Sequence, residues 1–177
     1  MKKMNNRLVW FGDTAADNVS GSGVITNGVD VAFFNSFDGL FKQMFAEIAP
    51  ASAYHVDIPE NALLTKAAQD DLDPDRAFEV FRAMYNKIDA RFFEAIEDGA
   101  QPEFLVTRAL AQNWEDKLEE TSMAFSLMEV QDGTDRLRYR GIPIKIRNDW
   151  DSNIRSYQDN GTTWNLPHRA VLTVKEN

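Results

Sequence analysis

Apolar residues recur at helical spacing over several stretches of the chain, and they alternate with polar residues in its last third. Phe37, Leu40, Phe41, Met44, Phe45 and Ile48 stand at i, i+3, i+4, i+7, i+8 and i+11. That stripe predicts a helix beginning at Asn35 or Ser36, either of which can cap it, and stopped by Pro50. The strongest helical signal opens at Asp73-Pro74-Asp75, with Asp73 as N-cap, Pro74 in the first turn and Asp75 at the positive end of the dipole. Phe78, Phe81, Met84, Tyr85, Ile88, Phe92 and Ile96 carry its apolar face, and Gly99 follows as a C-terminal stop. Taken as one element, residues 73–98 form a spine about 37 Å long. Thr107 precedes a further amphipathic stretch with Leu110, Trp114 and Leu118. Asn148 or Asp149 precedes a short one with Trp150, Ile154 and Tyr157, closed by Asp159-Asn160-Gly161.

Strand patterns fall at residues 7–11, 29–33, 55–58, 103–106, 122–130, 136–147 and 169–174, and 61–69 is expected to be loop with a helical turn. Asp132-Gly133-Thr134-Asp135 would join two of these strands into a long antiparallel hairpin. Within 136–147 the apolar phase changes. Leu137 and Tyr139 are odd, whereas Ile142, Ile144 and Ile146 are even. A continuous strand cannot hold both sets on one face without an extra residue, so a β-bulge is expected at Arg140-Gly141. Pro143 places that strand near a sheet edge. The expected class is α+β: a long spine helix, flanking short helices and a small, mostly antiparallel sheet. It forms a single compact unit over 1–177, or two sub-domains sharing a core at about 34–106 and about 107–177.

Composition narrows the function. The chain has 177 residues, 44% hydrophobic, with twelve Phe, four Trp and no Cys. Such an aromatic content is that of a folded protein, and the missing thiols exclude a disulfide scaffold, a zinc ribbon and a cysteine nucleophile. No apolar run is long enough to span a bilayer, and the start lacks the apolar region of a signal peptide. The net charge of −9 is uneven: residues 34–135 hold eight bases against twenty-one acids, and 136–177 hold eight bases against four acids. An acidic body opposes wrapping around phosphates. The basic end is either a solvated edge or a surface complementary to another copy.

Catalytic chemistry is sparse. His55 and Asp57 would share one face of a strand, but two ligands do not make a metal site. His168, in the approach to a strand, has a structural role. Asp71, Asp73 and Asp75 copy the start of a calcium loop, but Arg76 and Arg82 stand where it needs Gly and Glu. Glu115, Asp116, Glu119 and Glu120 crowd one helix and are expected on a solvated face. Ser20-Gly21-Ser22-Gly23 lacks the third glycine of a dinucleotide loop, and no Walker, nucleophile-elbow or zincin motif occurs. No catalytic, metal or cofactor-binding residue is assigned, and no small-molecule ligand is expected.

Three runs near the end nevertheless carry a resemblance. Tyr139-Arg140-Gly141-Ile142-Pro143-Ile144, Asn148-Asp149-Trp150-Asp151, and Asn165-Leu166-Pro167-His168-Arg169-Ala170-Val171-Leu172-Thr173 are similar to a stretch of phage and prophage major capsid proteins of the Hong Kong 97-type fold. Leu8-Val9-Trp10-Phe11-Gly12-Asp13 and Asp38-Gly39-Leu40 are similar to the same group. The resemblance implies a non-enzymatic structural subunit of a capsid shell, acting by self-association. Its peripheral domain would be built on a spine helix, beside an axial domain of sheet and helices. It implies a homo-oligomer in the virion, made in the bacterial cytoplasm, with no membrane and no sequence-specific nucleic-acid partner. The family's N-terminal arm and extended loop are not recognisable here, so part of a subunit or a shortened relative is expected. Arg136, Arg138 and Arg140 are the candidate subunit interface. A small-molecule or metal-dependent enzyme domain and a generic bacterial protein-interaction module remain the alternatives.

Overall fold

The computed structural model describes residues 9–12, 38–47, 53–121 and 137–175. The chain divides into two compact units that are each discontinuous in sequence. One combines the described residues up to His55 with Pro59–Gln69 and Asn148–Pro167. The other combines Val56–Ile58, Asp70–Arg147 and the residues from His168 onward.

The first unit is helical. Helix α1 is Leu40–Glu47, a short 3-10 turn is Pro59–Ala62, and α2 is Lys66–Asp70. Residues 9–11 are helical rather than extended, which corrects the strand expected there. This turn is approached closely by Gly39, whose N–H donates to the Gly12 carbonyl at 2.8 Å. A Cβ on Gly39 would stand 2.5 Å from the Gly12 nitrogen and 2.9 Å from the Phe11 nitrogen, so only glycine allows this approach. Helix α1 starts directly after this contact, at Leu40 rather than at Asn35 or Ser36, and Leu40 is 40% exposed. Phe41 is buried, and its ring lies 5.3 Å from Trp10, 5.1 Å from Phe11 and 4.8 Å from Trp150. Residues 55–58 form no strand, a second correction.

The second unit holds the sheet. Its elements are α3 (Arg76–Asn86), α4 (Ala90–Glu97), β1 (Gln101–Val106), α5 (Arg108–Thr121), β2 (Arg138–Tyr139), β3 (Ile142–Ile146) and β4 (Ala170–Lys175). Helix α6 (Asn148–Tyr157) follows β3 in sequence and belongs to the first unit, where Trp150 and Ile154 are buried as their spacing required. The sheet order is β2-β3-β1-β4, with β1 parallel to β3 and the other pairs antiparallel. The protein is thus α+β with a small mixed sheet. Its core is Phe81, Phe104, Val106, Leu110, Ala111, Ile144 and their neighbours.

The single spine helix is replaced by two helices. Lys87 and Ile88 close α3 with bonds to Met84 and Tyr85 carbonyls, a tightened last turn. Asp89 is extended (φ −74°, ψ 151°), and its carboxylate accepts the Arg91 N–H, which caps α4. An apolar stripe survives this break because side-chain spacing is blind to one capping aspartate. The start of α3 also differs. Asp73 Oδ1 accepts the Asp75 N–H, forming a local turn ahead of the helix. The cap comes instead from α5, where Asn113 accepts the Ala77 N–H and donates to the Asp73 carbonyl, each at 2.9 Å.

Candidate interaction surface

The phase change at Arg140-Gly141 marks a chain reversal, not a bulge. Arg140 has φ 49° and Gly141 φ 82°, so both central residues of a two-residue loop lie in the left-handed region. Tyr139 pairs with Ile142, and Arg138 with Pro143. Residues facing each other across such a hairpin add up to an odd number, so odd positions on β2 share a face with even positions on β3. Tyr139, Ile142 and Ile144 are accordingly all buried. Pro143 lies in an interior strand rather than at an edge. Pairing of β3 with β1 begins at Ile144, one residue beyond, so the missing proline N–H leaves no gap.

The hairpin rests on aromatic rings. Tyr139 lies 5.6 Å from Trp114, 5.8 Å from Phe81 and 6.2 Å from Phe104. The Trp114 Nε1 donates to the Arg138 carbonyl at 3.3 Å. Arg138 and Arg140 are both exposed, and neither forms an ion pair among the described residues. The Arg140 guanidinium stands 4.7 Å from the Tyr85 ring and 5.8 Å from the Tyr139 ring, a cation–π seat that orients the charge without neutralising it. Arg136 lies outside the described residues, as do the expected strands at 29–33 and 122–130 and the turn at 132–135.

The other sequence candidates do not gather into one site. Glu115, Asp116, Glu119 and Glu120 are exposed. Glu115 titrates above the ordinary carboxylate range because of partial burial, then its acidic neighbours Asp116 and Glu119, with Arg108 opposing. Asp75 has an ion-pairing role, since Lys117 bonds to it at 2.7 Å and to Glu120 at 2.9 Å, which raises the Lys117 pKa. Among the described residues no group of three or more His, Asp or Glu side chains could hold a metal ion. His168 is buried at 2% exposure, beside a buried Arg169 whose pKa falls to about 9 through loss of solvent, leaving it charged at neutral pH.

Two features of the first unit had no sequence signal. Gln69, 1% exposed, accepts the Trp164 N–H at 2.9 Å and donates to the Trp164 carbonyl at 3.0 Å and the Asn61 carbonyl at 3.1 Å. The Trp164 ring carries the Arg155 guanidinium 4.4 Å and the Lys66 ammonium 5.3 Å from its centre, while Lys66 pairs with Asp159 at 2.6 Å. An amide facing a backbone far along the chain has no periodicity to reveal it.

What the fold and hairpin define is an α+β protein with two exposed arginines that form no ion pair among the described residues, Arg140 seated on the Tyr85 and Tyr139 rings. Comparison with family models, curated proteins and solved structures finds no match to this chain. No helix among the described residues is long and apolar enough to cross a membrane.

Proposed function

We propose that the chain is a structural subunit of a phage or prophage capsid shell, without enzymatic activity, that works by self-association within the virion. The observation that carries this reading is the resemblance over residues 139–144, 148–151 and 165–173, three separate runs in the family's order. The charge arrangement supports it. Arg138 and Arg140 project from a hairpin fixed by Trp114 and Tyr85, and residues 34–135 supply the acidic excess for a neighbouring copy to offer. Attraction between such exposed charges acts mainly on the rate of encounter and is screened within about 10 Å at 0.1 M salt.

The test is sedimentation velocity with negative-stain electron microscopy over a concentration and salt series. Rings, capsomers or shells are the expected result, assembling more slowly as salt rises. Replacing Arg136, Arg138 and Arg140 together with glutamate should reduce assembly while the circular dichroism spectrum stays unchanged. A wild type that is monomeric throughout, or a triple variant that assembles as well, overturns the proposal.

A further inference from the structure

The two edges of the sheet are finished differently. At the β2 edge the strand is two residues long, and its outward Arg138 carbonyl is taken by Trp114. At the other edge β4 runs for six residues, Ala-Val-Leu-Thr-Val-Lys, with no proline, glycine or charge before Lys175. Such edges are normally blunted by a charge, a proline, a bulge or a covering element, because a bare strand templates another.

The backbone of β4 is directional. The Thr107 N–H donates to the Arg169 carbonyl at 3.0 Å, and the β1–β4 register continues that pairing down to Gln101 opposite Lys175. In an antiparallel ladder alternate residues turn their N–H and C=O to the partner. Arg169, Val171, Thr173 and Lys175 therefore face β1, while Ala170, Leu172 and Val174 face outward. Among the described residues those three outward N–H groups have no acceptor. Among the described residues the only bond to an outward carbonyl is a long one, 3.4 Å, from Thr173 Oγ1 to Val174. Residues 170–174 are all partly exposed.

The ends of this edge differ in charge. At the Ala170 end Arg169 is buried, and the bases that reach solvent are Arg108, exposed where it opens α5 just past Val106, and the half-buried Arg147, whose N–H donates to the Val106 carbonyl. The Lys175 end lies beside the start of β1, which follows α4 through Asp98 and Gly99. Glu94, Glu97 and Asp98 are exposed there beside Lys175, and the other base of α4, Arg91, sits in its first turn and pairs with Asp89. Helix α4 packs against β4 and leaves Phe93 44% exposed.

We propose that β4 is a dimerisation strand, pairing antiparallel with β4 of a second copy about a two-fold axis at Leu172. That register sets Leu172 opposite Leu172 and Ala170 opposite Val174, forming about six new hydrogen bonds and satisfying every outward group. It also lays the arginine end of each strand against the acidic α4 end of the other, twice over. Continuation from β4 onto β2 of the next copy is excluded by the short, occupied β2 edge, so the contact closes as a symmetric pair. This surface is separate from the arginine hairpin and does not depend on the shell reading.

The experiment is residue-resolved amide hydrogen exchange on the full chain over a concentration series, with sedimentation equilibrium on the same samples. The amides of Ala170, Leu172 and Val174 should slow about tenfold when roughly nine-tenths of the chains are dimeric, while those of Val171 and Thr173 stay unchanged. Leu172→Pro removes the central outward N–H without touching the β1 ladder and should abolish the dimer. Leu172 also packs on the core, so Val174→Pro provides the same test at a less buried position. Glu97→Arg with Asp98→Arg should weaken the dimer, and adding Arg108→Glu should recover it. Replacing Arg138 and Arg140 should leave it intact, which separates this contact from the shell hypothesis. A monomer at every concentration, association without slowing of those three amides, or open-ended growth would overturn the proposal.

Discussion

Gly39→Ala tests the closest backbone approach at any glycine of the described structure. The added Cβ would meet the Gly12 nitrogen at 2.5 Å, with the Phe11 nitrogen and the Trp10 carbonyl carbon each at 2.9 Å. All three are backbone atoms, so no rotamer change relieves the overlap. The two segments must separate by close to 1 Å to reach ordinary contact, on the order of an overpacking strain of 1–3 kcal/mol. Separation also breaks the 2.8 Å bond from the Gly39 N–H to the Gly12 carbonyl, a net loss of about 1 kcal/mol. The Trp10–Phe41 and Phe11–Phe41 ring pairs link the same segments and weaken with them. The expected destabilisation is about 2–4 kcal/mol, read as a shift of the urea midpoint with tryptophan fluorescence as the probe. Gly99→Ala is the control: it has open space around it but a φ of 97°, so strain alone should cost it about 1 kcal/mol. If Gly39→Ala costs no more than Gly99→Ala, the close approach does not exist in solution.

Phe81→Ala should cost about 3–5 kcal/mol, because the ring is fully buried against Phe104, Trp114 and Tyr139, while exposed Lys87→Ala should stay within about 0.5 kcal/mol; chemical denaturation of both checks the buried face of α3. Gln69→Leu keeps the volume but strands the Trp164 N–H and carbonyl, so a loss of about 1–3 kcal/mol in the same assay is expected, and a neutral result would refute the clasp. Asp159 has a carboxyl held below the ordinary value of 3.8, first by its hydrogen bond from Lys66 and then by the Gly161 N–H. A lowered folded-state pKa stabilises above the unfolded value and is lost as pH falls through the folded one. Lys66→Met should therefore flatten the acid limb of the stability curve below pH 3.8, and an unchanged limb would show that the pair contributes nothing.

How much of this was legible in the sequence depended on the range of the interaction that fixes each element. Helices α5 and α6 were readable because Leu110, Trp114, Trp150 and Ile154 bury one face at helical spacing. Strand β4 was readable from its β-branched run, and Gly99 from its position after an apolar stripe. Several of the failures are nonlocal or capping effects. Asp89 interrupts a stripe that continues on both sides of it. Asn113 caps α3 from thirty-six residues away. Gly39 meets the helical turn at residues 9–11 through a backbone contact that hydropathy does not encode. In the candidate surface, the switch from odd to even positions was visible, but a bulge and a two-residue hairpin produce the same switch. The structure separates them through two consecutive positive φ angles, at Arg140 and Gly141.

The hairpin also sorts the residues of the Tyr139–Ile144 run by what they are for. Tyr139 fills the aromatic core, Gly141 supplies the left-handed backbone that the turn requires, and Ile142 and Ile144 bury the inner face. Pro143 sits one residue ahead of the β1 register, where no N–H is needed. Each of these is demanded by a tight hairpin entering a mixed sheet, so changing any of them tests folding. Arg138 and Arg140 are different. Their side chains are exposed, and Arg140 even occupies a left-handed position that asparagine or glycine would fill with less strain. No buried acid calls for a positive charge at either place among the described residues, and the Tyr85 ring seats the Arg140 charge without neutralising it. The shell proposal places its contacts on those two side chains, so assembly assays on Arg138 and Arg140 variants with unchanged circular dichroism test it, whereas loss of assembly in Tyr139 or Gly141 variants reads only the fold.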